Sequence, residues 1–233
     1  MTRALALVVI AACSGSGDTD VMLGTDASMP MPDSSIAQPD ARAPDARPPD
    51  GMIVPDAPLP PSGLRVFVSS LRYSADLRSA GGQATGLASA DYICQNLADA
   101  AQIGGTWRAW LSTSTVNAID RIAGNGPWYR MDGALAFPNR ARLGTTPLVP
   151  IMVDEMGGLP DPFYEAWTGT ALGGFKAPLG SRQSVTCADW TSTIDSTSIG
   201  GVVGDIDANS STWTNLATGY CSPYHRSLYC FEQ

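Results

Sequence analysis

The chain holds one histidine, His225, and one lysine, Lys176, among 233 residues. There is no run of basic residues and the net charge is −8. Phosphate backbones are bound by clustered Lys and Arg, so nucleic acid is not an expected partner. The same scarcity argues against a heparin-type polyanion patch. No Cys-x-x-Cys pair occurs and His225 is the only histidine, so neither metal nor cofactor is expected. A Gly-x-Ser-x-Gly nucleophile elbow is also missing. No aromatic residue precedes Phe67. The longest apolar run, near the N-terminus, falls short of the roughly 20 residues that span a bilayer as a helix.

What is present divides the chain in three. Residues 1–12 begin with one positive charge and continue as an apolar run ending in small residues, the layout of a secretory signal. Ile10-Ala11-Ala12-Cys13 resembles the bacterial lipobox, which implies cleavage before Cys13 and diacylation of its thiol. Acyl chains contribute about 0.8 kcal/mol per buried CH₂, so several would hold the protein at a membrane. Ser14, rather than Asp, after the cysteine leans toward the outer membrane of a Gram-negative cell, facing the periplasm or the surface. Residues 13–62 are then a tether. They carry ragged Pro-Asp-Ala repeats, and residues 1–62 together hold eight Asp and three Arg, a net of about −5. Without aromatic residues such a segment cannot bury enough apolar surface to offset its ordering entropy. Its prolines favour extended geometry at about 3.1 Å per residue.

Residues 63–233 have the composition of a folded domain and a net charge of about −3. Leu64–Ser70 reads as a strand, and Gly81-Gly82 as a loop. Leu87–Ala101 is amphipathic with helical period, placing Ala90, Ile93, Cys94, Leu97 and Ala101 on one face. Trp107–Leu111 reads as a strand. Thr115–Ile122 reads as a second helix with Ser114 as its N-cap. Trp128–Phe137 is a hairpin, with Asp132-Gly133 suiting a type I′ turn. Further strands are expected at Val149–Val153, Val185–Thr191, Ser211–Asn215 and Ser227–Phe231. The fold class is α+β: one mixed, mostly antiparallel sheet with two helices and long loops. About 170 residues suffice for one core, and a monomer is expected.

Setting Cys13 aside, Cys94, Cys187, Cys221 and Cys230 should pair in an exported protein, with three connectivities open. Several segments, taken in order, are similar to the C-type lectin-like fold, and more closely to its endostatin-like branch and a related bacterial lipoprotein domain family. They are Arg65–Ser70, Gly86–Asp91 with Cys94, Trp107–Leu111, Ala166–Gly169, Cys187–Thr191, Ser211–Thr214 and Leu228–Phe231. The resemblance implies disulfides Cys94–Cys230 and Cys187–Cys221.

Calcium-dependent sugar sites in that fold use a Glu-Pro-Asn or Gln-Pro-Asp tripeptide and a Trp-Asn-Asp. Here Trp213-Thr214-Asn215 lacks the acidic ligand, so calcium-independent binding is expected. Gln38-Pro39-Asp40 lies in the tether and is coincidental. Asp205-Ile206-Asp207 opens like an oxygen-ligand loop, but Ser210 and Leu216 stand where such a loop needs Gly and Glu. Trp213, Asn215, Asp205 and Asp207 are the candidate binding residues. Asp154-Glu155 is expected to cap a loop or pair with Arg. His225 could serve as base for a nearby Ser such as Ser222 or Ser227, paired carboxylates are the other hydrolytic route, and no catalytic residue is assigned. The tryptophans are expected mostly in the core, with one or two free to stack on sugars. The expectation is a lipid-anchored module binding an extracellular protein or glycan. Rival readings are an envelope structural protein and a hydrolase.

Overall fold

The sequence 62–233 alternates short β-branched and aromatic runs with Gly-, Ser- and Thr-rich connections, and these become eight strands and three helices among the described residues. A computed structural model describes residues 62–160, 164–194, 196–222 and 224–233. The leader, Cys13 and the tether lie outside them. In order, the elements are β1 (Leu64–Val68), α1 (Leu77–Gly81), α2 (Gly86–Ala100), β2 (Trp107–Ala109), α3 (Ala118–Arg121), β3 (Trp128–Arg130), β4 (Leu135–Phe137), β5 (Glu165–Trp167), β6 (Gly201–Asp205), β7 (Ala217–Gly219) and β8 (Ser227–Glu232). The strands form one sheet of order β4-β3-β1-β8-β5-β6-β7, with β2 added on β8. Only β1–β3 and β5–β8 pair in parallel; the other ladders are antiparallel.

β8 is the axis. One edge pairs Tyr229, Cys230 and Phe231 with β1. The other edge is shared: Ser227 and Leu228 face β5, while Cys230, Phe231 and Glu232 face β2. Side chains alternate across a strand. Leu228 and Cys230 therefore join Phe67, Trp107, Trp167 and Trp190 on the face that packs α2. Tyr229 and Phe231 join Val66, Val68, Trp110, Trp128, Phe137 and Trp213 on the other. Both faces are covered, which is why all six β8 residues are buried.

α2 forms where Thr85 caps its N-terminus, accepting from Ala88 N at 3.1 Å. It buries Ala90, Ile93, Cys94 and Ala98. Cys94 bonds Cys230, with Cα atoms 5.5 Å apart, and so fastens this helix to β8. Asp91, on the same helix, accepts from Ala109 N and pairs with the buried Arg121, which also donates to Ala109 O.

Several sequence expectations give way. Gly81-Gly82 ends a helix instead of sitting in a plain loop: Asp76 caps α1, and Gly82 adopts the left-handed conformation that closes it. Only Ala118–Arg121 of the second expected helix is helical, and Ser114 is not its cap, because Ser114 binds Asp189. The 128–137 hairpin forms, but only Gly133 of its turn pair has positive φ, so the turn is not type I′. Val149–Val153 is no strand; Pro147 before it and Pro150 within it lack donors, and one carbonyl, Val153 O, reaches β1 at Val68 N. Ser211–Trp213 is a 3-10 turn, and Cys187–Trp190 is a left-handed turn. The unexpected β6 and β7 carry glycine at close approaches: Gly201 to the Trp167 ring and Cys187 sulfur, Gly204 to the Trp213 carbonyl and Gly219 to the Arg226 guanidinium.

Candidate functional site

The Gly/Ser/Thr-rich half is closed by a bond between Cys187 and Cys221, with Cα atoms 5.7 Å apart. The two bridges have the first-to-last and middle-two connectivity that the resemblance implied. Cys187 opens a turn in which four successive non-glycine residues have φ of 47°, 54°, 55° and 63°. Left-handed backbone costs an L-residue about 1–2 kcal/mol, so the surroundings must hold it. The Asp189 carboxylate accepts from Ser114 N and Oγ, both at 2.7 Å, and from Thr186 Oγ1 at 2.9 Å. Buried Trp190 donates to Ser112 O at 2.8 Å and tilts against Trp167. The loops on either side of the bridge are thereby pinned to the core.

Beside this clasp lies a surface unlike the rest. Arg226 is buried, its guanidinium 4.3 Å over the Trp167 ring and 5.4 Å from the Tyr224 ring. It donates to Glu165 Oε2 at 2.6 Å and to Tyr220 O at 3.3 Å. Tyr220 and Tyr224 flank it with 48% and 53% of their surfaces open. The Arg226 backbone pairs with Tyr73. Tyr73 and the exposed Tyr92 line a cleft of about 220 Å³ that also takes in Leu71 and Asn96. Tyrosine in such positions supplies broad contact area at low entropic cost, with a hydroxyl for water or a partner.

Burial, reinforced by the charge of Glu155, pushes the Tyr73 phenol up to about 12. Burial also pushes Tyr229 well above 10, with Asp205 adding to it. A neutral acid with a raised folded pKa stabilises the fold below the unfolded pKa and loses that contribution as pH rises through the folded value. Stability is therefore expected to hold to about pH 10 and fall above it. Thermal melts from pH 8 to 11.5 check this; Tyr73→Phe should make the alkaline decline shallower, and an unchanged slope would refute Tyr73 as a source.

The acidic pair has a scaffolding task. Asp154 Oδ1 accepts from Met156 N and Gly158 N at 2.9 and 2.8 Å, and Glu155 receives the Ser70 amide and hydroxyl. The sequence candidates do not converge on one site. Trp213 is buried, donates to Thr145 O at 2.9 Å and packs on Trp110 and Phe137, so no ligand can stack on it. Asn215 and Asp207 are exposed, while Asp205 accepts from Asp207 N at 3.0 Å in a local polar turn. No group of three or more potential metal ligands occurs among the described residues. His225 is exposed and, among the described residues, hydrogen-bonds to neither Ser222 nor Ser227; the Ser227 hydroxyl is buried without a partner. All six tryptophans are buried, so none is left for sugar stacking. Cys13 lies outside the described residues.

Sequence reasoning missed Tyr220, Tyr224 and Arg226. Their signal was the density of aromatic and cationic side chains in Tyr220-Cys-Ser-Pro-Tyr-His-Arg226, around a cysteine whose partner fixes the loop. No protein-family model matches the chain, and no curated protein matches it. No described helix is long and apolar enough to cross a membrane, and the two disulfides fit an exported or otherwise oxidising setting.

Proposed function

We propose that this chain is a lipid-anchored binding module of a bacterial envelope. It is held by Cys13 in the outer membrane, spaced by the tether, and folded as a C-type lectin-like, endostatin-like domain. It recognises an extracellular protein through the face of Tyr220 and Tyr224, without calcium. The observation that carries this reading is the division of the aromatics. Every tryptophan is spent in the core, while tyrosines flank the buried Arg226 in the open. Tyr and Arg are the residues enriched at protein-binding hot spots. The first-to-last pairing of Cys94 with Cys230 supports the fold, and the Ile10–Cys13 box supports the anchor.

A matrix-protein and glycan array, run with and without chelator, tests the reading. Protein hits unaffected by chelator are expected. Tyr220→Ala with Tyr224→Ala should weaken them at least about thirtyfold, the scale of a hot-spot loss. Silence throughout, hits confined to glycans, or loss on chelation would overturn it. Acyl labelling that survives Cys13→Ser would remove the anchor.

A further inference from the structure

The single lysine stands at the mouth of a separate cavity of about 280 Å³. A loop doubles back so that Thr170 and Lys176 pair, and Asn117 Oδ1 accepts from Lys176 N at 3.0 Å. The position of Lys176 is thus fixed from its backbone. Its ammonium donates to Ser114 O at 2.7 Å, which leaves two of its three N–H donors. In a chain of 22 acidic residues it forms no ion pair among the described residues. Asp189, which like Lys176 binds Ser114, has its carboxylate occupied by Ser114 and Thr186. The cavity wall is apolar, made by Ala177, Pro178, Leu179 and Val185, and Gln183 adds an exposed amide at the edge. The Ser184 and Thr186 hydroxyls inside are tied up with each other and with the left-handed turn.

We propose that this cavity is a subsite for a polypeptide C-terminus whose last residue is aliphatic. An uncompensated cation beside an apolar chamber calls for an anion attached to an aliphatic group. The terminal residue of a chain carries its carboxylate and side chain on one carbon, so one can meet Lys176 while the other meets Leu179 and Val185. The Gln183 amide is placed to serve the preceding peptide group. An internal Asp or Glu would bring the charge without the apolar group, and would leave the wall wet. The volume suits one or two residues, and the open mouth lets the rest of the chain leave. This subsite is independent of the tyrosine face, so either can fail without the other.

The test is titration of the full chain with N-acetylated tetrapeptides ending in leucine, as free acids and as amides. The free acid is expected to bind, and the amide at least about tenfold more weakly, as loss of a charge-assisted hydrogen bond requires. Lys176→Met should give the same loss, Lys176→Arg should retain most binding, and Leu179→Asp should abolish it. Tyr220→Ala with Tyr224→Ala should change nothing. A melt of each variant shows whether it remains folded. Equal binding of acid and amide, undiminished binding by Lys176→Met, or no binding at millimolar peptide would overturn the proposal. Binding of hexanoate as tight as that of the peptide would overturn the polypeptide as the ligand's source.

Discussion

Replacing Cys94 and Cys230 together by alanine will lower the free energy of unfolding by about 5 kcal/mol, the loop-closure value for the 136-residue separation of this pair. The bond joins α2 to β8, and both cysteines are wholly buried. Its loss therefore also weakens the packing of Ile93 and Ala98 against the sheet. Removing Cys187 and Cys221 opens a shorter loop, of separation 34, and should cost about 4 kcal/mol. The two variants will differ in kind. Without Cys94–Cys230 the whole transition moves. Without Cys187–Cys221 the loosening starts in the left-handed turn and spreads to the Tyr220–Arg226 surface. Denaturant unfolding followed by fluorescence, with hydrogen exchange read per segment, distinguishes them. A shift under 1 kcal/mol for the first pair would show that the sheet and core hold α2 without the bond.

Gly204→Ala is expected to be as damaging from a single methyl group. A Cβ at this position would lie 1.9 Å from the Trp213 carbonyl oxygen and 3.0 Å from Thr214 Cα. These are backbone atoms, so no rotamer change can relieve the contact. Overpacking a core typically costs about 1–3 kcal/mol when side chains can yield; here β6 must separate from the Ser211–Trp213 turn, and at least about 3 kcal/mol is expected. Trp213 would lose its fit against Trp110, Phe137 and Tyr229. Gly133→Ala is the control, since it meets nothing within 4 Å and suffers only from its φ of +85°; about 1–2 kcal/mol is expected there. If Gly204→Ala fails to accumulate while Gly133→Ala does, the expectation is met. Equal melting temperatures would refute it.

The parts of the fold that were legible are those where the hydrophobic period is strong and local. β1 and β8 are β-branched and aromatic runs, and α2 shows its buried face in Ala90, Ile93 and Cys94. The segments that carried the resemblance turn out to be scaffold. Gly86 lets α2 approach the Asp189 and Trp190 carbonyls, Asp91 fixes the β2 edge, and Trp107, Trp167 and Trp190 fill one side of the sheet. What was not legible is decided at long range. Val185 to Thr191 has strand-like composition, yet Asp189 and the Cys187 bond hold its second part in a left-handed turn. β6 and β7 are short and glycine-bearing, and only their neighbours define them. Burial was the hardest to read: Tyr229 and Tyr220 look alike in sequence, but one lies inside β8 and the other faces water. That single distinction separates core from candidate binding surface.

The placement of β8 sets a condition on how this sheet can assemble. Its partners β1, β2 and β5 come from segments lying roughly 60 to 160 residues earlier. Pairings so distant in sequence form slowly. Until Ser227–Glu232 joins, β1 with β3 and β4, and β5 with β6 and β7, remain two unjoined halves of the sheet. Completion of the sheet therefore waits on β8, in whichever order the two halves form. The same delay leaves strand edges open on both halves, the state in which a chain of this topology is most exposed to aggregation.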